Sequence, residues 1–261
     1  MRRYLTLLRI FVANSLQLEL EYRANLLIDF ISSLLGFASG LVVIYAMFSN
    51  ARTIGGWSLP EAIALFGVFM IFEAFIEVFL YPNLGKLPDY VRTGNMDFML
   101  LKPLSSQFLV SFRYFNIWRA PDAIVGSALL GYGMIETGGL APGSILLAAI
   151  MLLAGAVTTY AIWCMLTTTA FWWVRVSNVM ELFNAFFVAG RFPITAFPIW
   201  VRVILTFIVP IAFITTVPAS AAVGRLDWPM ALGSLAIAAG FLLLSQLFWR
   251  WAVASYTSAS S

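Results

Sequence analysis

The chain has 261 residues, 62% of them hydrophobic and 10% charged, with a formal net charge of +3. Folding in water cannot hide that much apolar surface at this length, so a soluble globular domain is excluded and an all-α membrane bundle in a single domain over 1–261 is expected. Histidine is absent and Cys164 is the single cysteine, which removes Ser-His-Asp chemistry, zinc-hydrolase and cysteine-based metal sites and internal disulfides.

The basic start, Met1-Arg2-Arg3-Tyr4, leads into a mixed segment with Glu19, Glu21 and Arg23 instead of a short apolar core, so no cleaved signal peptide is expected. Residues 4–22 carry Leu5, Leu8, Phe11, Val12, Leu16 and Leu20 at roughly helical spacing beside a polar face. That pattern predicts a helix over 1–23 lying in the cytoplasmic interface. The first span is expected over 25–48, where Gly36, Ser39 and Gly40 suit close helix contact.

Ser58-Leu59-Pro60-Glu61 has capping-box spacing and opens the second span, which is expected to end near Tyr81-Pro82. A polar cytoplasmic loop over 83–106 follows, with Lys86, Asp89, Arg92, Asp97 and Lys102. Ser105-Ser106 can cap the next helix, and Arg113, Arg119 and Pro121 predict one bent element over 106–135. The fourth span follows Pro142 and runs to about Trp173. Asn178 and Glu181 have cap spacing and open a fifth from 178.

Residues 191–226 are apolar but broken by Pro193, Pro198, Pro210 and Pro218. The pieces between these breaks, about 17–20 Å each, are too short to cross and predict re-entrant half-helices on the outer side. The last span starts at Asp227-Trp228-Pro229 and ends at Trp249-Arg250-Trp251, ahead of a serine-rich tail over 255–261 expected to be disordered. About six spans result, with both termini cytoplasmic. That orientation puts Arg52, Arg191, Arg202 and Arg225 outside and the other eleven basic residues inside, as cytoplasmic retention of positive charge requires. The basic excess therefore reflects membrane topology and not nucleic-acid binding.

The acidic residues expected within spans are Asp29, Glu73, Glu77, Asp122 and Glu181. Glu73 and Glu77 share a face with Tyr81. A charge at mid-bilayer costs at least ~2.5 kcal/mol, so these groups face protein or water. They either line a path or pair structurally with Arg113, Arg119, Arg191 or Arg202. The aromatic runs Phe171-Trp172-Trp173 and Phe186-Phe187 read as packing or interfacial belt, or as walls of a lipid-like substrate path. No phosphate-binding G-x-x-x-x-G-K-[ST] loop is present, so ATP binding of that kind is not expected on this chain.

The run Val91-Arg92-Thr93-Gly94-Asn95-Met96-Asp97-Phe98-Met99-Leu100-Leu101-Lys102-Pro103 resembles the R-x-G-x-x-D-x-x-L-x-K-P loop of ABC-2 family transporter permeases. Gly190-Arg191-Phe192-Pro193, followed by Pro198, Trp200, Val209-Pro210 and Val217-Pro218-Ala219, is a second match in the same order. The resemblance implies the type V exporter fold: an elbow helix, six spans, and short re-entrant helices between spans five and six. It implies a second permease chain, identical or paralogous, and ATPase subunits that carry the ATP and magnesium. A bacterial inner membrane is the expected location. Loop 83–106, the longest cytoplasmic loop, is the expected ATPase contact, with Arg92, Gly94, Asp97, Lys102 and Pro103 at it. A secondary transporter or channel using Glu73 and Glu77 as proton or ion sites is the alternative, and a membrane assembly factor without flux is a third.

Overall fold

The computed structural model describes residues 2–21, 23–173 and 176–256. Arg175, the 257–261 part of the expected tail, and the side chains of Glu19, Glu21, Arg23 and Asp29 lie outside the described residues. The described chain is helical, with one isolated bridge between Ile54 and Trp57 in the first loop.

Helix α1 is Arg2–Glu21 and α2 is Arg23–Phe48. Only 11% of the window Ile31–Phe48 is buried, so α2 presents most of its surface outward from this chain. At Gly40 the ring of Phe66 takes up the space a side chain would need, whereas nothing lies within 4 Å at Gly36.

Helix α3, Leu59–Phe75, begins where the Glu61 carboxylate accepts from the Ser58 backbone N–H at 2.7 Å and from its hydroxyl at 3.0 Å. The expected end at Tyr81-Pro82 is a correction. A π-turn over Ile76–Leu80 leads into α4, Tyr81–Leu84, and then α5, Leu87–Arg92, so the helical rod runs from Leu59 to Arg92. Pro82 has no N–H to give back along the helix. The Val78 carbonyl, four residues earlier, is satisfied instead by the Asn116 N–H at 3.1 Å. The region expected as a loop over 83–106 is therefore largely helical: after Gly94, left-handed at φ 73°, comes α6, Asn95–Leu100.

The single bent element expected over 106–135 is broken instead. Helix α7 is Ser106–Ser111, with Ser105 accepting from the Phe108 N–H at 3.4 Å. Helix α8, Ala120–Glu136, starts at Pro121 in its first turn, where proline is tolerated. Inside lipid, apolar side chains gain little by leaving the tails, so close backbone approach and polar ties decide packing. Helices α3 and α8 meet this way. A Cβ on Gly67 would lie 2.5 Å from the Gly126 carbonyl, and one on Gly126 would lie 2.7 Å from that of Gly67.

Helix α9 is Pro142–Thr168 and packs along α13, Trp228–Ser255. Helix α10 is Ser177–Ala189. It starts without a side-chain cap, so the expected Asn178/Glu181 cap is not formed. The bent segment comprises α11, Ile199–Val203, with a π-turn to Ile208, then Ala212–Thr216 and α12, Val217–Ala222, at 81° to the first piece. The two halves differ. Residues 212–222 are buried against α9 and α3 apart from Ser220, whereas Ile199, Trp200, Phe207 and Ile208 are exposed.

Among the described residues four helices are long and apolar enough to cross a bilayer, or five if the bent pair counts as one span. Helix α8, with 17 residues, and α10, with 13, fall short of the six-span expectation by length alone. The 3-10 turn over Ile117–Arg119 ahead of α8 and the Gly190–Pro193 break after α10 limit them. Ser255, expected in the tail, ends α13, and Tyr256 packs its ring edge-on against Phe171 at 5.4 Å.

Candidate functional site: a charged layer and an exposed turn–helix–turn

Charged side chains from several elements meet at one depth. Glu73 lies about 21 Å along the axis from Leu59, and Ser33 about 15 Å from Arg23 at the opposite end of α2. The 13 residues of α10 carry the chain about 20 Å before Arg191. The hydrocarbon is about 30 Å thick, so all three positions fall within its thickness.

In this layer Arg191 Nη2 lies 3.8 Å from Glu73 Oε1, and its guanidinium sits 4.8 Å over the Phe69 ring. Arg119 Nη1 lies 3.7 Å from Asp122 Oδ2, while the Ser33 hydroxyl donates to Asp122 Oδ1. Glu77 lies one turn below Glu73, in the π-turn. Of the residues singled out from sequence, Glu73, Glu77, Asp122 and Arg191 are thus brought together, and Ser33 joins them unforeseen. The pairing answers the desolvation cost of the charges and ties α2, α3, α8 and the end of α10 at one level.

Glu181 and Arg202 stand apart. Glu181 is exposed beside a cleft of about 260 Å³ with Tyr81, Asp89 and Asn184. Arg202 braces the outer segment, donating to the Phe197 carbonyl at 2.8 Å and the Thr195 carbonyl at 2.6 Å. A matching tie closes the first loop: Arg225 donates to Gly56 O at 2.8 Å and Glu61 Oε2 at 2.9 Å, and Thr195 donates to Gly55 O at 2.6 Å.

The Leu59–Arg92 rod has 34 residues, about 51 Å, roughly 20 Å more than the hydrocarbon is thick. Its tip is built tightly. Arg92 pairs with Asp89 at 3.0 Å, Thr93 caps back onto Asp89 O at 2.6 Å, and Gly94 reverses the chain. Helix α6 buries Met96 and Met99 beneath it. Arg92, Gly94, Asp97, Lys102 and Pro103 all fall on this one turn–helix–turn, Lys102 and Pro103 exposed.

Two residues here escaped the sequence reading: Phe98 is 68% exposed and Leu101 81% exposed. Large apolar side chains held out beyond the hydrocarbon mark a contact surface. The available signal was apolar residues on both faces of so short a helix, Met96 and Met99 against Phe98 and Leu101. A third missed residue, Asn83, is 1% exposed and holds the 113–114 segment against the rod.

The aromatic runs divide. Phe187 stacks on Phe69 at 4.9 Å as packing, and Trp172 stacks on Trp251 at 4.6 Å where α9 and α13 end together. Phe186 lines an apolar cavity of about 250 Å³ beneath the Val209-Pro210 bend. Among the described residues no cluster of acidic or cysteine side chains could hold a metal ion.

The family described as ABC-2 family transporter protein matches residues 34–260. No curated protein and no solved structure matches the chain.

Proposed function

We propose that this chain, which belongs to the ABC-2 transporter family, is the membrane-spanning permease subunit of an ATP-driven exporter whose ATPase is a separate polypeptide. The observation that supports this beyond family membership is the 34-residue helical rod, longer than the hydrocarbon is thick, followed by a tied turn bearing the exposed Phe98 and Leu101. A solvated loop has no use for two exposed apolar side chains on a buried methionine footing. A lever docked in a groove of an ATPase does, because closure of the ATPases would then push the rod and the spans attached to it.

The six-span reading is supported by counting α7, the 112–119 link and α8 as one crossing, and α10 with the Gly190–Pro193 turn as another. Both termini then face the cytoplasm, in the inner membrane of a bacterium. Helix α2, little covered within the chain, offers a face to lipid or to a second permease chain. The first loop and the 195–225 segment, tied to each other through Thr195 and Arg225, support export over capture by a binding protein. The alternative of a secondary transporter using Glu73 is weakened by Arg191, which already pairs with that carboxylate.

The test is Asp97→Arg combined with Lys102→Glu. Reduced co-purification with the ATPase and loss of stimulated ATP hydrolysis are expected. Unchanged values for both would remove this segment as the coupling element.

A further inference from the structure

The geometry points to Arg191 as the receptor for the anionic group of an amphiphile. This rests on the permease reading and names a substrate class for it. A guanidinium has five donors. At Arg191 one nitrogen approaches Glu73 at 3.8 Å, beyond hydrogen-bond range, and Nε is buried with no acceptor. Unmatched donors inside a membrane cost free energy, and because Nε itself is sealed from solvent an incoming acceptor would meet the guanidinium where Arg191 lines the neighbouring cavity.

Beside Arg191 lies a cavity of about 90 Å³, walled by Val43, Phe66, Val188 and Phe192, with Ser39 as its second polar side chain. That volume equals about three waters, or one carboxylate or phosphate group. Glu73 and Asp122 lie toward the inner end of the layer. By helix position Phe66 and Gly40 lie about two turns toward the outer end from Glu73 and Ser33, and no carboxylate is among the residues lining the cavity. Ser39 and Val43 belong to the exposed face of α2. A molecule in the lipid can therefore reach the cavity sideways, its headgroup on Arg191 and Ser39 and its tail along the apolar wall. Charge-assisted hydrogen bonds of this kind are about twice as strong as neutral ones, and Arg191 then bridges Glu73 and the ligand.

The test uses the full chain alone in phosphatidylcholine nanodiscs, without ATP or ATPase. A result on binding is thereby separate from a result on ATPase pairing. Saturable binding of radiolabelled dodecyl phosphate is compared with that of dodecyltrimethylammonium and of inorganic phosphate. We expect dodecyl phosphate to bind about ten-fold tighter than the cation, with inorganic phosphate weaker than both. Arg191→Gln should erase that preference, and Glu73→Gln, which removes the competing carboxylate, should strengthen it several-fold. Because Arg191→Gln strands Glu73, the double variant Glu73→Gln/Arg191→Gln is measured as well and should also show no preference. Competition by phosphatidylglycerol in the disc would identify a membrane lipid as the source of the anion, and its failure to compete a diffusible amphiphile; either upholds the site. Equal binding of the cation, equal binding of inorganic phosphate, no saturable binding, or a preference surviving in the double variant would overturn the proposal.

Discussion

Asn83 grips both polar groups of Tyr114: its Oδ1 accepts the Tyr114 N–H at 2.8 Å, and its Nδ2 donates to the Tyr114 carbonyl at 2.6 Å. The same amide accepts from the Arg113 N–H at 2.8 Å and donates to the Phe79 carbonyl at 2.7 Å. One buried side chain thus bonds four backbone groups, three of them in the α7–α8 link. Asn83→Leu removes the partner of those three and is expected to cost more than ~3 kcal/mol, since each unmet buried group costs about 1–3 kcal/mol. Asn83→Asp keeps the two accepted bonds and should fall between. Thermal unfolding of the detergent-purified chain measures both.

The contact of α3 with α8 depends on Gly67 and Gly126 facing each other without side chains. Gly67→Ala must push the helices apart and should destabilise by about 1–3 kcal/mol, as overpacking does. Gly131 on the same helix as Gly126 has nothing within 4 Å. Gly131→Ala should therefore be neutral or stabilising by up to ~1 kcal/mol. Unfolding midpoints of the two variants, compared side by side, decide the point.

Glu61 serves two ends at once: it caps α3 and receives Arg225 at 2.9 Å. Glu61→Ala should cost about 1–2 kcal/mol through the lost cap, and Arg225→Ala about 0.5 kcal/mol because that side chain is largely exposed. The double variant should cost less than the sum. Additive effects in the cycle would mean that the outer tie carries no energy.

Much of this architecture is legible in the residues, for physical reasons. Composition sets the solvent, and Ser58, Glu61, Ser105 and Asp227-Trp228-Pro229 set helix starts, because these signals act within one helical turn. The misread points are those where distant groups decide. Pro82 reads as a stop, but Asn116 takes over the carbonyl it orphans. The segment over 106–119 reads as a bent helix, but Asn83, some thirty residues earlier, takes the Arg113 and Tyr114 N–H groups and breaks the helix there. Asn178 and Glu181 have cap spacing, yet the chain enters α10 in helical geometry that leaves no cap to make.

The charges followed the same rule. Their cost in lipid requires partners, and Arg191 beside Glu73 and Arg119 beside Asp122 meet that requirement. Which cation meets which carboxylate depends on helix depth and facing, which a linear pattern does not carry. Arg202 was grouped with these by hydropathy alone. In the fold it belongs to the outer segment, bound to backbone carbonyls.

The exposed pair on the inner tip makes a direct prediction. Phe98→Asp and Leu101→Asp leave the buried Met96 and Met99 footing intact, so the chain should fold with an unchanged unfolding midpoint. Each should weaken ATPase co-purification about ten-fold or more, the effect of losing an anchor side chain at an interface. If the pair instead rests on lipid, ATPase recovery will be unchanged and membrane flotation of the variants will be the property that shifts.

The account is tested most directly by ATP turnover in proteoliposomes containing this chain alone, its ATPase partner alone, and the two together. No hydrolysis by this chain alone is expected. The two together should exceed the ATPase alone, and Phe98→Asp/Leu101→Asp should abolish that excess. Nucleotide turnover by the isolated chain, or an excess that survives the loss of both apolar side chains, would contradict it.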